Sequence, residues 1–220
     1  MTETGDRRAF LGTARRRLAG GVHANPVHLP PTPTAVPPEV GFTALDRDDL
    51  VGSFVAMATE VDAVVHRVDP GGVGARLVEL ARQHEVTTVV RSAEPELDPL
   101  AAVLAEAGLT VDPYAPDRAA GADLGLTGAV AGVAATGSLV LDASVAGSRA
   151  VGLLPPVHVC VLREDQLVAT PGDVLRPLRA GAPSSLVLVG GPSRTGDVEQ
   201  ILTLGVHGPR HVHILLVAPS

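Results

Sequence analysis

The residues best suited to chemistry lie in the second half of this 220-residue chain. The run from Ser184, SSLVLVGGPSRTGDVEQILTLGVHGPRHVHILLV, reads as a buried strand leading into Gly190-Gly191-Pro192-Ser193-Arg194-Thr195, which opens a helix. Glycines permit close backbone approach and a helix N-terminus offers unpaired N–H groups, so such a turn is suited to hold an anion. Ser193 and Thr195 add hydroxyl donors, and Arg194 adds a fork-shaped guanidinium that fits phosphate or carboxylate. Asp197 and Glu199 put negative charge into the same first turn, so a well-capped helix that needs no ligand fits the residues equally well.

Other stretches carry candidates of the same kind. Thr136-Gly137-Ser138, after the small-residue run AVAGVAA, makes a tight turn into a strand. It would present backbone N–H groups opposite the glycine loop, although an ordinary turn accounts for it too. In LLPPVHVCVL, from Leu153, Pro155 and Pro156 fix where a strand begins, and His158 and Cys160 share one of its faces. A Cys–His pair points to nucleophilic chemistry, yet at i and i+2 within an apolar strand both residues read first as core. Gly205-Val206-His207-Gly208-Pro209 holds His207 in a fixed loop as a polar residue lining a site. His211 and His213 alternate along the strand that follows; a metal there needs distant ligands that the spacing does not reveal, and none is expected. Asp123, in DLGLTG, is an acidic candidate or simply a capping residue.

Composition removes several classes of chemistry. All 17 basic residues are arginine, which excludes Schiff bases, a lysine general base and the lysine of a P-loop. With 2% aromatics and a net charge of −7 there is little to stack bases on and no basic field for a phosphate backbone, so nucleic acid is not an expected partner. The one cysteine cannot form an internal disulfide or hold an iron–sulfur cluster, which takes about four thiolates. No cofactor is expected in this chain. No apolar stretch approaches the ~18 residues of a membrane span, so the expected location is the cytoplasm, away from membranes.

The elements that must position these residues follow from hydrophobic periodicity. A basic helix over Asp6–Leu18 and a proline-rich connector over Val22–Val40 make residues 1–40 an arm, with the body over residues 41–220. In the body, helices are expected over Asp46–Val61, Gly72–His84 and Leu97–Ala107, and strands over Ala63–Val68, Thr87–Arg91 and Leu109–Asp112. Apolar runs at Ser138–Asp142, Val157–Leu162, Ser185–Val189 and Val212–Val217 add strands, and a helix from about Gly196 to Leu204 is closed by Gly205. The fold class is α/β: a mixed, mainly parallel sheet flanked by helices, with antiparallel strands inserted midway.

Taken together, Thr136-Gly137-Ser138, Leu153-Leu154-Pro155-Pro156-Val157-His158, Gly191-Pro192-Ser193-Arg194-Thr195 with Asp197 and Glu199, and Gly205-Val206-His207-Gly208-Pro209 resemble the LUD-domain family in its lactate-utilization branch. Gly196 departs from the alanine usual there. The resemblance implies a fold similar to the NagB/RpiA/CoA-transferase group and a role in oxidising L-lactate to pyruvate. It also implies iron–sulfur partner proteins, the clusters lying in those partners and this chain being the cluster-free component. It assigns no catalytic residue, so the motif positions mark a candidate site for a small anionic ligand. A stand-alone enzyme or binding protein for a phosphorylated, folate or CoA-type ligand is the alternative, and a homo-oligomer is left open.

Overall fold

The computed structural model describes residues 49–176, 183, 185–196, 202–204 and 207–219. The expected arm and connector lie outside them, as do Asp197 and Glu199.

Helix α1 (Leu50–Glu60) starts at Asp49, whose side chain accepts the Gly52 N–H at 2.7 Å, and buries Phe54 and Ala58 one turn apart. The chain then alternates β1 (Val64–Val68), α2 (Val73–Gln83), β2 (Thr88–Arg91), α3 (Asp98–Glu106) and β3 (Thr110–Pro113). In α2 the buried residues are Val73, Leu77, Leu80 and Ala81, the i, i+4, i+7, i+8 stripe of a helix lying on a sheet. These elements coincide with the periodicity of the sequence to within a few residues.

The Ala/Gly/Thr-rich middle folds as α4 (Pro116–Gly121), β4 (Leu124–Gly128) and β5 (Ala131–Val133), followed by β6 (Ser138–Asp142) and α5 (Ser148–Leu153). The remainder comprises β7 (Val157–Arg163), β8 (Leu167–Val168), α6 (Pro171–Leu175), β9 (Leu186–Val189), β10 (Arg194–Gly196), β11 (Leu202–Leu204) and β12 (His211–Val217).

Six strands form one sheet in the order β1-β12-β7-β4-β2-β3, and every pairing in it is parallel. Among the described residues antiparallel pairing is confined to a second sheet, β8-β5-β6-β9, and to the β10–β11 pair. The mainly parallel α/β architecture is therefore the one expected, with the antiparallel insertion forming its own layer.

Both faces of the six-stranded sheet are buried, as a parallel sheet requires. On one face Leu124, Leu126, Val159 and Leu215 pack with Leu77, Leu80 and Leu104 of α2 and α3. On the other, Cys160, Leu162, Ile214 and Leu216 pack with Phe54 and Ala58 of α1 and with Leu139 and Leu141 of the second sheet.

One element differs from expectation. The helix from Gly196 to Leu204 is not what the described residues form: Arg194–Gly196 and Leu202–Leu204 are strands paired antiparallel, with Thr195 opposite Thr203. The apolar spacing of Ile201, Leu202 and Leu204 fits a helical stripe. It lost to cross-strand pairing, for which β-branched threonines are well suited.

Candidate functional site

The motif segments separated in sequence meet at the amino-terminal ends of β7 and β12. The Pro156 carbonyl accepts the N–H groups of Arg210 at 2.8 Å and His211 at 3.1 Å, which ties the Pro-Pro segment to the His207 loop. The Ser193 N–H donates to the Pro209 carbonyl at 2.9 Å. A side chain on Gly208 would lie 2.9 Å from Ser193 Cβ, so only glycine lets these loops pack at this distance. The pairing of β6 with β9 sets Ser138, buried, beside Gly190. His207 is exposed on the rim.

The common anchor of these loops is the C-terminal turn of α1, which no motif pointed to. Gly137 has φ +63°, and a Cβ there would lie 2.2 Å from the Ala58 nitrogen. Gly191 has φ +109°, and a Cβ there would lie 2.2 Å from the Val61 carbonyl oxygen. Both positions therefore require glycine twice over, for backbone conformation and for contact with α1. Asp62, itself left-handed at φ 62°, receives the guanidinium of Arg194 in a partly exposed ion pair. Arg194 thus has an acidic partner, and an incoming carboxylate or phosphate would exchange with Asp62. The sequence signal for Asp62 was weak: a single acidic residue just past a helix end.

The anion site expected at a helix N-terminus is not formed in that way, because Arg194 and Thr195 belong to strand β10. What remains is the guanidinium, the Ser193 segment and Thr136, whose Oγ1 is buried and has no hydrogen-bond partner.

His158 and Cys160 lie in the interior. His158 is fully buried, with Nε2 2.9 Å from the Thr127 hydroxyl and Nδ1 unpartnered, and burial pushes its pKa down to about 4. Burial pushes the Cys160 thiol up to about 12, which favours the protonated form over the nucleophilic thiolate. Asp123 is a structural tie. Its Oδ2 accepts the N–H and hydroxyl groups of both Thr87 and Thr88 at 2.8–2.9 Å, joining β2 to β4. Burial opposes its charge, but those donors outweigh it and hold the carboxyl below the usual range.

The distant partners of His213 prove to be His66 and His84. Arg76 donates to His66 Nδ1 at 2.8 Å, His66 Nε2 faces His213 Nδ1 at 3.1 Å, and His213 Nε2 faces His84 Nε2 at 2.8 Å. A guanidinium only donates, so it fixes the protons along the string: His66 and His213 each carry theirs on Nε2, and His84 on Nδ1. All three rings are then neutral. Burial, followed by the neighbouring cationic and imidazole groups, lowers the pKa of His213 to about 3, and burial is also the main cause of the lowering at His66 and His84. Among the described residues no group of three or more His, Cys, Asp or Glu is placed to hold a metal ion. No helix among them is long and apolar enough to cross a membrane.

The chain is similar to several known proteins. It is 31% identical over 213 residues to a lactate utilization protein C of Deinococcus radiodurans, covering 94% of this chain and 93% of that protein. An uncharacterized protein of Neisseria meningitidis serogroup B is 31% identical over 149 residues, 66% of this chain and 61% of that protein, so the chain spans less than two thirds of that relative. Among solved structures, a DUF162 family protein from Deinococcus radiodurans superimposes with a TM-score of 0.59 at 23% identity, over 79% of this chain and 99% of that one, and shares the fold. Residues 53–217 match the LUD domain, a span that runs from α1 through β12 and takes in every motif segment, and the chain belongs to that family.

Proposed function

We propose that this protein serves L-lactate utilization, the oxidation of L-lactate to pyruvate, as the cluster-free component beside iron–sulfur partner proteins. The observation that carries this reading is the similarity to the Deinococcus lactate utilization protein C along nearly the whole of both chains. Oxidising the hydroxyl carbon of L-lactate releases two electrons and two protons, and the partners' clusters take the electrons. The only cysteine here sits in the interior of β7 with its thiol pushed up to about 12, so thiolate ligands for a cluster come from elsewhere.

The part left to this chain is binding and assembly. Arg194, held by Asp62 at the mouth of the motif cluster, is the group that exchanges its carboxylate for that of a ligand or partner. The protein acts in the cytoplasm in this reading.

Reconstitution tests it. Pyruvate formation from L-lactate, measured with an artificial electron acceptor, should need both the iron–sulfur proteins and this chain. Arg194→Ala should lower the rate at least tenfold while stability changes by no more than about 1 kcal/mol, since an exposed ion pair contributes little. Equal rates with and without the chain would reject the role. Turnover by the chain alone, or a thermal shift confined to a phosphorylated, folate or CoA-type compound, would replace it with a self-sufficient protein.

A further inference from the structure

The parallel sheet has one place where neighbouring strands send the chain away from each other. From β2 it runs outward to β3, and from the adjacent β4 inward towards β7. Open α/β sheets bind ligands in the crevice outside the carboxyl ends of strands that diverge in this way. The motif segments lie at the other end of the strands, so this crevice is separate from the site described above.

Two observations equip it. Glu94 follows β2, and its partly buried side chain turns in towards the end of β4, beside Gly128. Its Oε2 is buried and has no hydrogen-bond partner. Gly128, the last residue of β4, leaves a gap where a Cβ would sit 3.5 Å from Glu94 Cγ and 3.7 Å from Glu96 Oε1, so both carboxyl groups border the same space.

Glu96 in turn lines a cavity of about 220 Å³ that runs along the carboxyl ends of β7 and β12. Leu100, Val161 and Val217 form apolar walls, and Arg163 and Gln166 are its other polar groups. Val161 lies opposite Gly128 in the β4–β7 register, and Arg163 stands two residues farther along the same face. The backbone of Arg163 is therefore about one pleat repeat, ~7 Å along the strand, beyond the position of Gly128. Among the described residues the ion-pair partner of Arg163 is Asp165, both more than half exposed, a pair that a ligand carboxylate can displace. Burial raises the proton affinity of Glu94, and Glu96 adds to it, which suits a group that receives a hydrogen bond or proton from a ligand.

We propose that this crevice is a binding site for a short hydroxy- or amino-carboxylate, its hydroxyl or ammonium donating to Glu94 and its carboxylate held by Arg163, with the carbon chain against Val161. The site follows from the placement of donors and acceptors and does not depend on the role in lactate oxidation proposed above.

Calorimetric titration of the full chain with L-lactate, L-alanine and propionate tests it. L-lactate or L-alanine should bind at least tenfold tighter than propionate, which lacks the donor, and whichever of the two binds more tightly identifies the donor as hydroxyl or ammonium. Gly128→Val, which fills the gap beside Glu94, and Arg163→Gln, an exposed change that spares the fold, should each weaken binding at least tenfold. Propionate binding as well as the donors, wild-type affinity in both variants, or no saturable binding of any probe would each overturn the proposal. Reconstituted lactate oxidation that persists without binding here would retain the role and remove this site; binding without oxidation would do the reverse.

Discussion

Lowering the pH from 7 to 5 should cost the native state about 2 kcal/mol through His158 alone. This ring is fully buried beside Thr127, and burial takes its pKa from 6.5 down to about 4. Below pH 6.5 the unfolded chain binds a proton there while the native state keeps the ring neutral. The contribution is therefore complete above about pH 6.5 and is lost as the pH falls towards 4. At 1.36 kcal/mol per pKa unit the whole interval amounts to roughly 3.4 kcal/mol, of which about 2 kcal/mol has gone by pH 5. Urea unfolding of wild type and His158→Gln at both pH values isolates the effect, because every other titrating group is common to the two proteins and cancels. Wild type should lose about 2 kcal/mol more than the variant over this range. Equal losses would refute the reasoning, as would an imidazole nitrogen resonance of His158 that titrates near pH 6.5 in the folded protein.

Gly137→Ala should destabilise by more than about 2 kcal/mol, since it combines a positive φ with a Cβ placed against the α1 backbone; a melting temperature within a degree of wild type would contradict this. Asp123→Ala, which strips four donors of their shared acceptor, should cost about 2–3 kcal/mol by urea unfolding, and a loss below 0.5 would show that those donors find water instead. In the folded protein Cys160 should resist iodoacetamide at pH 8 at least a hundredfold better than in urea, and Cys160→Ala should keep full reconstituted activity. Rapid native labelling would show the thiol to be accessible.

The first three β/α units were legible because their apolar residues repeat at helix or strand period. Val73, Leu77, Leu80 and Ala81 declare the buried stripe of α2 without reference to the rest of the fold. The stretch that forms α4, β4 and β5 was not legible, since runs of Ala, Gly and Thr fit a helix, a strand or a turn about equally until the layers above and below select one. The β10–β11 pair was misread because its leucines also fit a helical stripe, and the deciding interaction is with another strand. For the site, the motif segments were visible one by one, but their meeting point on α1 was not. Gly137 and Gly191 owe their identity to the backbones of Ala58 and Val61, contacts that no local pattern encodes. The same holds for His66 and His84, which matter only because β1 and α2 bring them to His213, 147 and 129 residues away.

The position of β12 between β1 and β7 has a consequence for how the protein is made. In the six-stranded sheet β1 has one neighbour, and that neighbour is β12. At ~5–20 residues per second, the ~150 residues between β1 and its only partner take the ribosome roughly 7–30 s to add. Throughout that interval β1 has no strand to pair with, and once β7 has been added its open side presents unpaired N–H and C=O groups above an apolar face, the kind of edge that recruits other chains. Folding of this topology is therefore set by a late, long-range insertion, slow by its contact order. A nascent chain stalled before residue 211 would leave two open edges at the centre of the molecule, making it a substrate for chaperones rather than a nearly finished protein.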